Sequence, residues 1–142
     1  MVGCFISNEL VDAFPVHLVQ WKGDRLYERY VTLADQPSSN ESPQLFQEIL
    51  GEPSTDTLAT YFDSIDIDFS DGRFQSEYDT EVNLAALDWL QTVEAKLQRG
   101  YVLTIDYGYT AERYYSPARR EGTLQCYYQH AHHSNPLSLI HI

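Results

Sequence analysis

Basic side chains are scarce in this sequence: 9 Lys and Arg stand against 21 Asp and Glu, for a formal charge of −12. A protein that grips a polyanion needs a basic face, so nucleic acid is excluded as the main partner. A neutral or cationic substrate suits the charge better, although an acidic surface can also serve solubility alone. Cysteine is nearly absent. Cys4 falls in an apolar run and Cys126 in a tyrosine-rich one, too few for a disulfide framework or a zinc site, and both are expected as reduced, buried thiols. Long apolar stretches are missing too. None approaches the roughly 20 residues of a membrane-spanning helix, and the first residues lack the basic region and long apolar core of a signal peptide. The default compartment is cytoplasmic, and a mitochondrial one would require a transit peptide ahead of Met1. At 142 residues, 43% of them hydrophobic, the chain amounts to one globular domain at most.

What is present is concentrated at two places. Gly3-Cys4-Phe5-Ile6-Ser7 is a short apolar run that ends in Asn8, Glu9 and Asp12, and Tyr101-Val102-Leu103-Thr104-Ile105 ends in Asp106-Tyr107-Gly108-Tyr109. Both have the length and composition of core strands in a parallel sheet. Open α/β sheets hold their ligands beyond the carboxyl ends of the strands, and each of these strands ends in an acid plus polar groups. A helical pattern of Val82, Ala86, Trp89 or Leu90, Val93 and Leu97 spans residues 81–98, with Asp79 or Thr80 as cap and Gly100 as stop. Helix, glycine and strand make one half of a crossover unit, so the sheet is predicted to be parallel.

Between these signals, residues 16–21 and 26–33 alternate on either side of Lys22-Gly23-Asp24-Arg25 and read as a β-hairpin. Residues 35–42 have the Pro, Ser, Asn and Gln content of a loop, after which Ser42 can cap a helix with Pro43 at its first position and Gly51 at its end. A short helix carrying Leu58, Tyr61 and Phe62 is expected before Asp63. Beyond it Ile65, Ile67 and Phe69 alternate with Asp66 and Asp68 as in a strand, and the reading stays open there. Two core strands and a hairpin bury too little surface to offset chain entropy comfortably, so stable folding is expected only with more of the domain.

Together these segments resemble the MidA family of class I S-adenosylmethionine-dependent methyltransferases. The resemblance is carried by Ser7-Asn8-Glu9-Leu10-Val11-Asp12-Ala13-Phe14-Pro15-Val16, Glu28-Arg29, Trp89, Gly100, residues 103–108, Gly122-Thr123-Leu124 and His130, in family order over roughly residues 3–136. It implies an α/β fold with a Rossmann-like sheet that is incomplete here, an inserted β-hairpin on the substrate side and flanking helices. Residues 1–136 would be the later part of one methyltransferase domain, because the family's glycine-rich cofactor loop precedes the first strand seen here. The implied cofactor is S-adenosylmethionine. The implied substrate is an arginine side chain of a protein partner, a respiratory-complex subunit in the case of the family's mitochondrial assembly-factor member.

By that layout Asn8 and Glu9 lie beside the methionine end of the cofactor and, with Asp12, meet the incoming nucleophile. An amide can hydrogen-bond a substrate nitrogen, and a carboxylate can attract a guanidinium and receive its proton. The alternative is a capping cluster in which Asn8 holds the turn and Asp12 binds backbone amides. Asp106, Tyr107 and Gly108 are placed at the substrate mouth and His130 on the substrate side, against the alternative of a strand-to-loop turn under an aromatic lid. Glu28 and Arg29 are expected as an ion pair. His130, His132 and His133 lack further ligands of fitting type, so no metal is expected. The same fold without transfer chemistry, an assembly or binding module, and a hydrolase pairing Glu9 with Asp106 are the other two functional classes. Residues 137–142 match what one frame of a sequencing-library transposon end encodes and are read as a non-native, adapter-derived tail, against the alternative of a genuine amphipathic strand in which Leu and Ile alternate with Ser and His.

Overall fold

The computed structural model describes residues 1–34, 46–74, 76–128 and 130–137. Strand β1 (Val2–Asn8) pairs in parallel with β6 (Arg99–Ile105), Val2 opposite Arg99 and Asn8 opposite Ile105. A separate antiparallel sheet has the order β4-β3-β2-β5. Its members are β2 (His17–Lys22), β3 (Arg25–Leu33), β4 (Phe46–Gly51) and β5 (Glu77–Val82). The helices are α1 (Thr57–Ser64), α2 (Leu84–Lys96) and the single turn α3 (Ala111–Tyr114). A short ribbon of β7 (Cys126–Tyr128) and β8 (Ala131–His133) follows. No helix among the described residues is long and apolar enough to cross a membrane.

The hydrophobic core lies under one face of the four-stranded sheet, where Val19, Tyr78 and Val82 meet Leu58 and Phe62 of α1, Phe69 and Tyr115. Its aromatic rings pack mostly edge to face, Phe62 against Phe69 at 4.9 Å and against Tyr115 at 5.4 Å, the arrangement the ring quadrupole favours. The two-stranded parallel sheet stands outside that core. Alternation places Val2, Cys4 and Ile6 on the same face as Tyr101, Leu103 and Ile105. All six are exposed, Tyr101 to 80%. Both thiols are free as expected, but neither is buried: Cys4 shares this uncovered face and Cys126 is half-exposed.

Three local expectations are corrected. Residues 46–51 form a strand, not the end of a helix. Phe46, Ile49 and Leu50 stand at helical spacing, yet the ladder to β3 from Leu33–Phe46 to Glu28–Gly51 decides the conformation. The loop at 35–42 and the Ser42 cap with Pro43 lie outside the described residues. The predicted helix at 81–98 begins later, because Asp79 and Thr80 sit inside β5 and the cap is Asn83, whose Oδ1 accepts from the Ala86 N–H at 2.9 Å. Leu137 is buried, and the rest of the 137–142 tail lies outside the described residues.

The third correction concerns Glu28 and Arg29, which cannot pair because adjacent strand residues point to opposite faces. Arg29 instead bridges Glu48 at 2.6 Å and Asp79. Glu28, only 6% exposed, lies 2.7 Å from His17 Nδ1 and accepts from the Tyr30 hydroxyl at 3.0 Å and the Ser54 N–H at 2.6 Å. Burial pushes its carboxyl up, but the bonds from His17, Ser54 and Tyr30 outweigh burial and bring it down to about 2 from 4.5. A depressed folded-state value stabilises above the unfolded value and is lost as pH falls from about 4.5 toward 2, by roughly 3 kcal/mol at the lower limit. Urea unfolding between pH 7 and pH 2 should show this decline in wild type, and Glu28→Gln should lack that share of it. Parallel pH curves for the two proteins would refute the assignment.

Candidate active site at the carboxyl ends of the parallel strands

Past Asn8 the chain turns sharply. Glu9 takes a left-handed backbone with φ 46°, and its N–H still donates to the Ile105 carbonyl at 2.9 Å. One residue past β6, Asp106 reaches back: Oδ2 accepts from the Val11 and Asp12 N–H groups at 2.8 and 3.3 Å, and Oδ1 from the Tyr107 N–H at 2.8 Å. Burial pushes the Asp106 carboxyl up, but these backbone donors prevail and hold it below its ordinary value. Asn83 ties the start of α2 to the same loop by donating from Nδ2 to the Val11 carbonyl at 3.0 Å. Phe14 packs edge-on against Trp89 of α2, with ring centroids 6.3 Å apart. The loop after β1 is therefore pinned from both β6 and α2.

Beside this loop opens a cavity of about 750 Å³. Asp12, Asp106, Tyr107 and Gly108 line it, together with Glu81, Asn83, Tyr109, Tyr114, Tyr115, Arg119, Tyr127 and residues 123–125. Asn8 and Glu9 are exposed at the strand end and do not line it. His130 is exposed in the turn between β7 and β8, with φ 64°, and does not line it either. Asp12 forms no cap. The loop amides are held by Asp106, while no hydrogen bond to the Asp12 carboxylate occurs among the described residues. Both oxygens of Asp106 accept from backbone donors. No group of three or more metal-ligating side chains occurs among the described residues.

The aromatic wall is built from neutral phenols. Burial pushes the Tyr114 hydroxyl up to about 12 and Tyr115 higher still. Tyr109 is the exception, lowered by its hydrogen bond to Arg119 and by that cation's charge. The Arg119 guanidinium lies 4.1 Å and that of Arg113 4.8 Å from the Tyr109 ring centroid. Nothing local in the sequence marks Arg113 or Arg119 as a neighbour of this wall. Glu81 was equally hidden, since a carboxylate at the start of a presumed helix looks like a surface charge. The only signal that could have moved it was the alternation of Tyr78, Thr80 and Val82, which marks a strand.

The family described as "Putative S-adenosyl-L-methionine-dependent methyltransferase" matches residues 1–140. None of the curated proteins matches the chain. A COG1565 superfamily member from Burkholderia thailandensis, solved with S-adenosyl-homocysteine bound, is 33% identical with a TM-score of 0.74 over 96% of this chain and 32% of its own. The native structure of a COG1565 superfamily protein from the same organism is 31% identical with a TM-score of 0.77, over 96% of this chain and 33% of its own. The chain thus spans about a third of the length of these solved relatives. With the match running from the first strand through the late ribbon, the chain belongs to this family of S-adenosyl-L-methionine-dependent methyltransferases.

Proposed function

We propose that this chain supplies the substrate side of a methyltransferase domain with a Rossmann-like sheet, which transfers a methyl group to a guanidinium nitrogen of a protein partner. One observation carries the reading: two parallel strands in register open at their carboxyl ends onto one cavity, where the Asp12 carboxylate stands unpaired among the described residues. The cofactor of the family, when bound, supplies an electrophilic methyl group on a sulfonium sulfur. The residues present fit its cationic methionine end, since the Asn8 amide and Glu9 carboxylate are exposed at the end of β1 and an ammonium is best met by such acceptors.

The remaining work falls to this chain's own side chains. Asp12 would orient the guanidinium and take the proton that the nitrogen loses as its new N–C bond forms and the methyl carbon's bond to the sulfonium sulfur breaks, the electron pair staying on that sulfur as a neutral thioether. A group of such high pKa gives up a proton only to a well-placed base. Tyr107 and Gly108, which line the cavity, border the substrate's approach. A respiratory-complex subunit is the first partner to try, in a cytoplasmic or mitochondrial setting.

Calorimetric titration with S-adenosyl-homocysteine tests the reading. The 142-residue chain alone should show no measurable binding, because a glycine turn and a ribose-binding acid are expected on other strands. The protein at its relatives' length should bind. Micromolar affinity of the short chain would overturn the assignment of cofactor grip elsewhere, and absence of binding by the long one would favour an assembly module without transfer chemistry.

A further inference from the structure

Strand β5 runs from the core into the cavity wall, and its Glu81 is 6% exposed. Glu81 Oε1 accepts from the backbone N–H groups of Thr123 and Leu124 at 2.9 and 2.8 Å. Oε2 accepts from the Thr123 N–H at 3.0 Å, the Thr123 hydroxyl at 3.2 Å and the Tyr114 hydroxyl at 3.2 Å. One carboxylate thus gathers two consecutive backbone amides and the hydroxyl pair of Thr123 and Tyr114, which lie 2.7 Å apart and share two protons among themselves and Glu81. Gly122 makes the approach possible. Its φ is 75°, and a Cβ there would collide with Glu81 Oε1 and lie 3.0 Å from Cδ.

The stitching continues along the strand. The Tyr115 hydroxyl donates to the Glu81 carbonyl at 3.1 Å, and the Asp79 N–H donates to the Arg120 carbonyl at 2.9 Å. Between Glu121 and β7 the segment belongs to no helix or strand, so its path is set by these contacts. Thr123, Leu124 and Gln125 are part of the cavity lining.

We propose that Glu81 is a positioning residue: it fixes the cavity wall made by residues 123–125 and thereby sets the affinity for the acceptor substrate. The proposal rests on the methyltransferase reading of the cavity. The physical reason lies in acceptor count, since an ionised carboxylate only accepts and can serve all these donors at once. A glutamine of the same shape turns an NH2 group toward part of that donor set, and the wall loses its fixed register while the core under β5 is untouched.

The test compares wild type, Glu81→Gln and Gly122→Ala in the protein at its relatives' length, with acetyl-Gly-Gly-Arg-Gly-Gly-amide as acceptor probe. Both variants should raise KM for the peptide roughly tenfold or more, with kcat within about threefold and the Kd for S-adenosyl-homocysteine within about twofold. A lower apparent kcat at unchanged KM is what mere loss of folded protein produces, and it would overturn the proposal. Amide hydrogen exchange gives a second readout. Thr123 and Leu124 should exchange about tenfold faster in Glu81→Gln while Val19 and Leu58 keep their wild-type rates. Equal exchange at those two amides overturns the proposal whatever the activity. A wild-type protein that neither binds S-adenosyl-homocysteine nor methylates the peptide removes the functional reading instead, and the exchange result alone then decides whether Glu81 holds the wall.

Discussion

Asp12→Asn should lower methyl transfer by roughly 100-fold or more while leaving the fold and cofactor affinity intact. Asparagine keeps the shape of the side chain but cannot attract a cation by charge or accept its proton, and carboxylate general-base help is worth about that factor. Stability should change by no more than about 0.5 kcal/mol, because the carboxylate makes no hydrogen bond among the described residues that folding would lose. Glu9→Gln supplies the contrast. Glu9 lies at the strand end outside the cavity lining, so its change should act on cofactor affinity more than on the rate of transfer. Initial rates at saturating cofactor, with thermal melts alongside, separate the two. Transfer by Asp12→Asn within about threefold of wild type would remove Asp12 from the chemistry.

Gly100→Ala should be the most damaging single methyl addition in the chain. Gly100 sits opposite Gly3 in the parallel pair with φ 146°, and a Cβ there would fall on the Gly3 carbonyl. The conformation is one that side-chain-bearing residues rarely adopt, and the clash is with backbone, which has nowhere to retreat. Separation of β1 from β6 would follow, with a loss of about 4 kcal/mol or more, the range reserved for broken backbone geometry. Gly108→Ala is the control, since its Cβ would meet nothing within 4 Å. Urea midpoints that agree for the two variants would contradict this account of the sheet.

The parallel strands and the hairpin were legible because their signals are local. Short apolar runs ended by acids mark β1 and β6, and Lys22-Gly23-Asp24-Arg25 marks the turn between β2 and β3. Strand polarity pointed to the polar residues after both strands, of which Asp12, Asp106, Tyr107 and Gly108 line the cavity while Asn8 and Glu9 do not. Where the reading failed, distant partners decided. Phe46, Ile49 and Leu50 carry helical spacing, but the hydrogen bonds offered by β3 make them a strand. Val82 fits both the helical stripe and the alternation of β5, and Asn83, the actual cap, was passed over for Asp79 and Thr80. The roles of the acids were the least legible. Which carboxylate is engaged by backbone amides and which is left free depends on where two loops meet, so the holding task that the capping alternative gave to Asp12 falls to Asp106.

The parallel pairing of β1 with β6 also orders events in time. The Ser7–Thr104 contact across it spans 97 residues, whereas β2 and β3 close over the short turn at Gly23. Ring closure over so long a chain segment costs more entropy than closing the hairpin turn, so the parallel pair is expected to form after the hairpin. The β2–β3 hairpin is expected to form early and to be joined by α1 and β5, which brings together residues such as Gln20 and Asp79 at a separation of 59. During synthesis β1 emerges well before β6 and stays without that partner until β6 follows. The loop carrying Asp12, whose amides are held by Asp106 just past β6, is then expected to be set late, once β1 and β6 have paired.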